Sequence, residues 1–445
     1  MKITIAGAGR VGIHLAKYFV DEHQDVYLID NDRNNLLALE SDLNLRTFCG
    51  EPIDFITLRE ACTEKADVFV AVTAETATNL VACAMAKSLG AKKTIARVDK
   101  FDFLDKHNSN VVRNMGVDHV VYPDYLAALS VISSLEHSWS YGWNDFNDGA
   151  IILIAVTVAD NAPIAGRFLN EMSRENRSMH IAAIKRNSGT IIPHGNDRIM
   201  PHDILYITTV PDELYKVKEI TGKTDKPIKK VILMGGSMVA ELAANMAACK
   251  FSFVIVEKNL DRCRKLTESC PDSDIIYGDG SEQDVLEEAG INNCDAFVAL
   301  SDSSESNILA CITAQDTGVT RTIAEVEKEQ FIGKAESFSI GAIINKPIIT
   351  ANAIFQIILD SNESSSKCFA MKNAEVAKLE INEDSALTKA PVKDLKFPKE
   401  LNIAGLIRNG KGEIVTGDTM FQKGDKVIVF CLNGSLEKVE RLFNK

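Results

Sequence analysis

Lys2 to Asp30, KITIAGAGRVGIHLAKYFVDEHQDVYLID, constrains the fold more than any other stretch. It reads as a strand, a glycine turn, a helix and a second strand closed by a carboxylate. Ile3 to Ala6 is a short apolar run, Gly7, Gly9 and Gly12 form G-x-G-x-x-G, and Val26 to Ile29 is the next apolar run, reaching Asp30 about 20 residues on. Gly7 permits the tight turn, Gly9 lets the backbone approach a pyrophosphate, and Gly12 lets the helix sit close to the sheet. The helix N-terminus offers N–H groups to an anion. Asp30 would accept hydrogen bonds from adenosine ribose hydroxyls, and its charge would repel a 2′-phosphate, so NAD(H) or an adenine nucleotide is expected ahead of NADP. A glycine turn with no ligand is the plainer alternative. The strand, helix and acid all in place favour the nucleotide.

With 445 residues the chain exceeds a single core, and about 150 residues per domain suggests three or four. A net charge of -13 argues against nucleic-acid binding as the main task, since that needs a basic stripe. The longest apolar run, Ala150 to Ala159, falls far short of the roughly 20 residues a spanning helix needs, and the chain opens at MKITIAG without a signal sequence. A cytoplasmic location is therefore expected. The ten cysteines include no C-x-x-C pair, and Cys83, Cys249 and Cys311 lie in helical apolar stretches where buried, reduced thiols are expected. All eight histidines precede residue 203 without H-x-x-x-H or H-E-x-x-H spacing, so no transition-metal site is expected.

The chain repeats itself. Gly7 returns as Gly235, Asp30 as Glu257, Gly50 as Gly278, Asn79 as Asn307, Cys83 as Cys311 and Pro163 as Pro391, offsets of 227 or 228 residues. After a six-residue slip, Arg186, Asn187, Gly195 and Asp203 return 222 residues later as Arg408, Asn409, Gly417 and Asp425. Solenoid repeats run about 20 to 50 residues, so this is a duplicated two-domain unit with pseudo-twofold pairing of its halves. In each half, strands such as VFVAV alternate with helices, as in a doubly wound parallel α/β sheet covered on both faces. Helices after Tyr122-Pro123 and Lys346-Pro347 close the two nucleotide domains, either on their own domain or by exchange between the halves. The stretches SWSYGWNDFNDG, TGKTDKP (221–227) and SNESSSK (361–367) read as polar linkers. The expected domains are thus 1–122, 139–223, 228–346 and 362–445, with small α+β modules second and fourth, each carrying a short helix after a proline (PIAGRFLNEM; PVKDLKF).

In a doubly wound sheet, ligands sit beyond the carboxyl ends of the strands. Thr73, Ala74 and Asn79 follow VFVAV there, with Glu51 after the third strand and Arg97 ending TIAR. Asn79 could equally cap a helix. Arg10, inside the glycine turn, could reach terminal phosphates of a nucleotide. The second fingerprint is degraded: Gly235, Gly236, Ser237, Met238, Val239 and Ala240 put serine where the close-approach glycine belongs. Glu257 keeps the ribose acceptor, so a weaker or different nucleotide is expected there, with an empty structural copy as the alternative. An NAD-dependent oxidoreductase would need an acid or base beside the hydride, and the chain offers no Y-x-x-x-K pair.

GAGRVGIHLA, VDHVVYP, KPIKKVILMGG, the GDG at 278–280 and the paired PxxGRFL- and IRNG-type modules resemble the TrkA family, tandem RCK proteins regulating Trk potassium uptake. The resemblance covers essentially the full length. It implies two RCK-N nucleotide domains, each followed by an RCK-C domain, with no catalytic activity. It further implies a homo-oligomeric ring, a tetramer, peripheral to the inner face of the membrane beneath a TrkH-like channel, shifted by NAD(H) or by ATP and ADP. The first site would comprise Gly7, Ala8, Gly9, Arg10, Val11 and Gly12, with Asp30, Glu51, Thr73, Ala74, Asn79 and Arg97. The second would comprise Gly235, Gly236, Ser237, Met238 and Val239, with Glu257.

Overall fold

Continuous apolar runs become buried parallel strands, and the helices that follow start at Gly9 of the first glycine bend or at polar caps such as Asp32, Asp54 and Asn259. The computed structural model describes residues 1–432 except 148, 176, 187–188, 225, 360–364, 372–373, 383–384 and 396. The chain divides into two compact units, Met1–Ala128 with Asn345–Ser361, and Leu129–Ile344 with Asn362–Lys445.

In the first unit, β1 (Lys2–Ala6), α1 (Arg10–Asp21), β2 (Asp25–Asp30), α2 (Arg33–Asp42), β3 (Arg46–Cys49), α3 (Phe55–Glu60), β4 (Val68–Ala71), α4 (Thr76–Leu89), β5 (Lys93–Arg97), α5 (Ser109–Asn114) and β6 (His119–Val121) alternate. The strand order is β3-β2-β1-β4-β5-β6, with every neighbour parallel. Order reverses between β1 and β4, which places a ligand crevice at the end of β1. All four residues of β4 are buried because helices cover both faces. On α1, Val11, Leu15, Ala16 and Phe19 form the buried stripe. A further helix, Lys346–Leu359, packs here on α1: the Phe355 ring lies 3.7 Å from that of Tyr18 and 4.7 Å from that of Phe19. Ala351, Ile354, Phe355 and Ile358 complete the core of this unit, and Lys93 Nζ donates to the Ile357 carbonyl at 2.6 Å near the helix end. The closing helix of the second half therefore belongs to the first nucleotide domain. For this helix the exchange alternative is the one observed, whereas residues 123–128 of its first-half counterpart stay with the first unit.

The second unit begins with the last part of α6 (Pro123–Glu136) and continues through β7 (Gly142–Phe146), β8 (Ile151–Thr157), α7 (Leu169–Glu175), β9 (Met179–Arg186), β10 (Gly189–Ile191), β11 (Ile204–Thr209) and α8 (Leu214–Thr221). The second nucleotide domain follows as β12 (Lys230–Met234), α9 (Met238–Ala247), β13 (Ser252–Glu257), α10 (Leu260–Ser269), β14 (Asp274–Tyr277), α11 (Gln283–Glu288), β15 (Ala296–Ala299), α12 (Ser304–Asp316), β16 (Arg321–Glu325), α13 (Glu329–Ser337) and β17 (Ala342–Ile344). Its order, β14-β13-β12-β15-β16-β17, repeats that of the first domain. The last turn of α6 is tied to it: Arg321 Nε donates to the Ser134 carbonyl at 3.1 Å, and Lys250 pairs with Glu136. Arg321 is held among carbonyls, and burial pulls its guanidinium down to about 10, still protonated at neutral pH.

The two small modules are antiparallel sheets of five strands each, β10-β9-β11-β8-β7 and, after α14 (the exchanged Lys346–Leu359), β18 (Ser365–Met371), β19 (Ala374–Glu380), β20 (Leu401–Arg408), β21 (Lys411–Glu413) and β22 (Lys426–Leu432) in the order β18-β19-β22-β20-β21. They share one core, in which Ile151, Leu153 and Ala183 meet Val376, Ile407 and Phe430. Thr208 Oγ1 donates to the Ala404 carbonyl at 2.7 Å across it. The repeated arginine and aspartate form equivalent two-point pairs. Arg186 reaches Asp203 at 2.8 and 2.7 Å, and Arg408 reaches Asp425 at 2.8 and 2.7 Å.

Three expectations change. Strand β7 lies within SWSYGWNDFNDG and β18 begins within SNESSSK, whose residues 361–364 are outside the described ones, so neither stretch is only a linker. Within PIAGRFLNEM the helix is confined to α7, and PVKDLKF gives one 3-10 turn, Val392–Asp394. Cys83 and Cys311 are buried, with burial pushing the Cys311 thiol up to about 12, but Cys249 is exposed.

Candidate functional site

The first glycine bend has three glycines for three different reasons. Gly7 sits at φ +109°, a conformation L side chains avoid, with its N–H donating to the Ile29 carbonyl at 2.8 Å. A Cβ on Gly12 would fall 1.9 Å from the Gly7 carbonyl oxygen, so only glycine lets α1 approach the turn. A Cβ on Gly9 would meet nothing within 4 Å. The protein's own packing leaves open space over Gly9, where the sequence places the pyrophosphate. Gly9 is also the N-cap of α1 and has no side-chain cap, so the first-turn N–H groups face that opening without a side chain in their place.

Asp30 organises the bend from the end of β2. Its Oδ2 accepts from the Ala8 N–H at 2.5 Å and its Oδ1 from the Asp32 N–H at 2.8 Å. Each carboxylate oxygen retains further acceptor capacity for ribose hydroxyls. The β3 loop closes on the same side: Gly50 N–H donates to the Asp30 carbonyl at 3.0 Å, and Asn31 Nδ2 donates to exposed Glu51 at 3.0 Å. Arg10 is exposed at the start of α1, and Arg97 is half-buried at the end of β5. Ala74 is exposed beside Thr73. The Val11 side chain turns into the core, leaving only its backbone toward the bend.

Asn79 differs from its expected part. It is 1% exposed, and all its polar capacity is used within the protein. Its Oδ1 accepts from Thr73 N–H at 2.9 Å and Thr73 Oγ1 at 2.7 Å, and its Nδ2 donates to the Thr73 carbonyl at 3.1 Å and the Arg97 carbonyl at 3.0 Å. Asn79 positions the loop after β4 against the end of β5 and has nothing left to offer a ligand. Asn307 makes the equivalent four bonds to Ser301 and Glu325.

The second bend keeps the backbone geometry and changes its lining. Gly235 has φ +98°, and its N–H donates to the Val256 carbonyl at 2.8 Å. Glu257 accepts from Gly236 N–H and from Asn259 N–H, both at 2.7 Å, as Asp30 does in the first half. Ser237, however, caps α9 itself, its Oγ accepting from Ala240 N–H at 3.3 Å. Arg262 Nε donates to the Gly236 carbonyl at 2.6 Å and its Nη2 to Glu241 at 2.6 Å. Sequence reading missed Arg262 and Glu241 because neither belongs to the fingerprint. Met238 is exposed and Val239 fully buried.

Elsewhere in the second unit, cavities of about 160 and about 300 Å³ lie on either side of a 2.8 Å hydrogen bond between His180 and Asn402. Position 402 repeats position 180 at the 222-residue offset, so the pair sits on the pseudo-twofold of the small modules. Burial lowers the His180 pKa from its ordinary 6.5, although part of the ring borders the cavities. Among the described residues no group of three or more His, Cys, Asp and Glu side chains gathers as metal ligands, and no helix is long and apolar enough to cross a membrane.

The chain is 27% identical to a Trk system potassium uptake protein TrkA of Azorhizobium caulinodans over 100% of this chain and 98% of that one. It is 26% identical to the TrkA of Halomonas elongata with the same coverage. In solved structures it resembles the GsuK RCK domain, with a TM-score of 0.62 at 14% identity, covering 100% of this chain and 95% of that one. The TrkA-N domain model matches residues 3–123 and 231–346, and the TrkA-C domain model matches residues 153–222 and 376–444. With the domain order, both glycine bends and the matched length in agreement, this chain belongs to the TrkA family.

Proposed function

We propose that this chain is a nucleotide-sensing gating subunit of a Trk-type potassium uptake system. The observation that carries the reading is the first glycine bend, open over Gly9, uncapped at α1 and flanked by Asp30. In this reading NAD(H) lies along the bend, with ATP or ADP sharing the adenosine and phosphate subsites. The relatives are named as potassium uptake proteins, and GsuK, of the same fold, is known in structures bound to NAD and to ADP. In this reading the chain works at the inner face of the membrane as a homo-tetramer beneath a TrkH-like subunit. Gly7, Gly9 and Arg10 hold the phosphates, Asp30 the ribose, and Thr73, Ala74, Glu51 and Arg97 border the remainder of the ligand. No bond of the nucleotide is broken. Its binding energy shifts the balance between two conformations, and moving that balance from 1:99 to 99:1 takes about 5.5 kcal/mol of differential affinity. The test is potassium flux in vesicles carrying the TrkH-like subunit, with and without this chain. NADH or ATP should change the flux only when the chain is present. Nucleotide-independent flux, or steady NADH consumption by the pure chain, would refute the reading.

A further inference from the structure

The two glycine bends share a backbone, so differences between their linings report ligand chemistry with the fold held constant. At the phosphate side, both arginines and the close-approach glycine of the first bend are replaced, and one apolar position becomes acidic. Gly9 becomes Ser237, Arg10 becomes Met238, Ile13 becomes Glu241 and Arg97 becomes Glu325. The Ser237 hydroxyl takes an N–H of α9 that an anion would otherwise use, and Glu241 adds negative charge in the first helical turn, paired with Arg262. Arg262 spends its other contacts on the carbonyls of Gly236 and Ser237. A pyrophosphate is poorly served here.

At the base and ribose side the trend reverses. Glu257 repeats the Asp30 arrangement, and its direct neighbour across the β13–β14 pairing is Tyr277, where the first half has Cys49 beside Asp30. Tyr277 is 61% exposed at the end of an edge strand, and Leu260 beyond Glu257 is 47% exposed. An exposed aromatic ring at the strand position next to the ribose acceptor is placed to stack on a base.

We propose that the second bend binds an adenine nucleoside carrying at most one phosphate, with its base on Tyr277 and its ribose on Glu257. This extends the nucleotide-sensing reading by giving the two halves different ligands: a dinucleotide or polyphosphate at the first, a nucleoside or monophosphate at the second. One chain would then respond to both.

Calorimetric titration of the full chain separates the sites. In Asp30→Ala, AMP should bind at least tenfold more tightly than NADH or ATP. Adding Tyr277→Ala should weaken AMP about tenfold or more, with Tyr277→Phe restoring it. Tyr277 is exposed, so its replacement leaves folding intact. AMP binding unchanged by Tyr277→Ala, or NADH binding in Asp30→Ala as tight as AMP and removed by Tyr277→Ala, would overturn the proposal. NADH binding that persists through both substitutions belongs to the first bend and contradicts the first-site reading instead.

Discussion

A single methyl group distinguishes Gly9 from Gly12. In Gly9→Ala the new methyl enters open space at ordinary φ, so stability should change by less than about 0.5 kcal/mol while nucleotide affinity falls, because the methyl stands where the phosphates approach. In Gly12→Ala the methyl collides with the Gly7 carbonyl, and the domain should lose about 3 kcal/mol. Urea unfolding beside NADH titration of both variants checks the contrast, and equal stability loss in the two would refute it. His180 provides a pH test. Its folded pKa lies below the unfolded 6.5, so the unfolded chain binds the extra proton and stability is full above pH 6.5 and lost as pH falls below it. Urea midpoints should therefore drop between pH 7.5 and 5, and His180→Gln should flatten that dependence. Asp30 was legible in the sequence because an acid closing the second strand has a fixed place in this fold. The role of Asn79 was not, since spacing places a residue without saying which of its atoms the protein has already engaged.

Among elements, the exchanged α14 places Ala351, Ile354, Phe355 and Ile358 in the core of the first unit. Phe355 fills the space between Tyr18, Phe19 and the sheet of the first unit, so Phe355→Ala should destabilise the first nucleotide domain by about 3–5 kcal/mol although it lies over 200 residues away in sequence. Loss of first-site NADH binding at lower urea than in wild type is the readout. An unchanged midpoint would mean that the helix contributes nothing there. The central strands were readable as continuous apolar runs. Strand β6 was not, because three residues carry no periodicity, and β7 exposes Asn144 and Asp145, which resemble a loop. The helical pattern in PIAGRFLNEM began too early because Pro163 starts a turn well before α7 does.

At the scale of the molecule, the duplication was visible at its 228- and 222-residue offsets, and the repeated Arg–Asp pairs give it physical content. What joins the second nucleotide domain to the first small module was not visible. Tyr141 Oη donates to Glu336 at 2.8 Å and Lys185 pairs with the same carboxylate, three residues with no common motif. Their side chains are largely buried, and the phenol is pushed well above its ordinary pKa by burial and by Glu336. Such a junction ties a nucleotide domain to a C-terminal module, as a sensor needs if ligand binding is to be transmitted. Duplication then supplies two bends of one geometry, free to diverge in what they bind. The most direct test is calorimetric titration of NADH into the full chain and into Asp30→Ala. Tight binding to the wild type and at least about a tenfold loss in the variant are expected, as removal of charged hydrogen bonds entails. Equal affinity in both would place the nucleotide elsewhere.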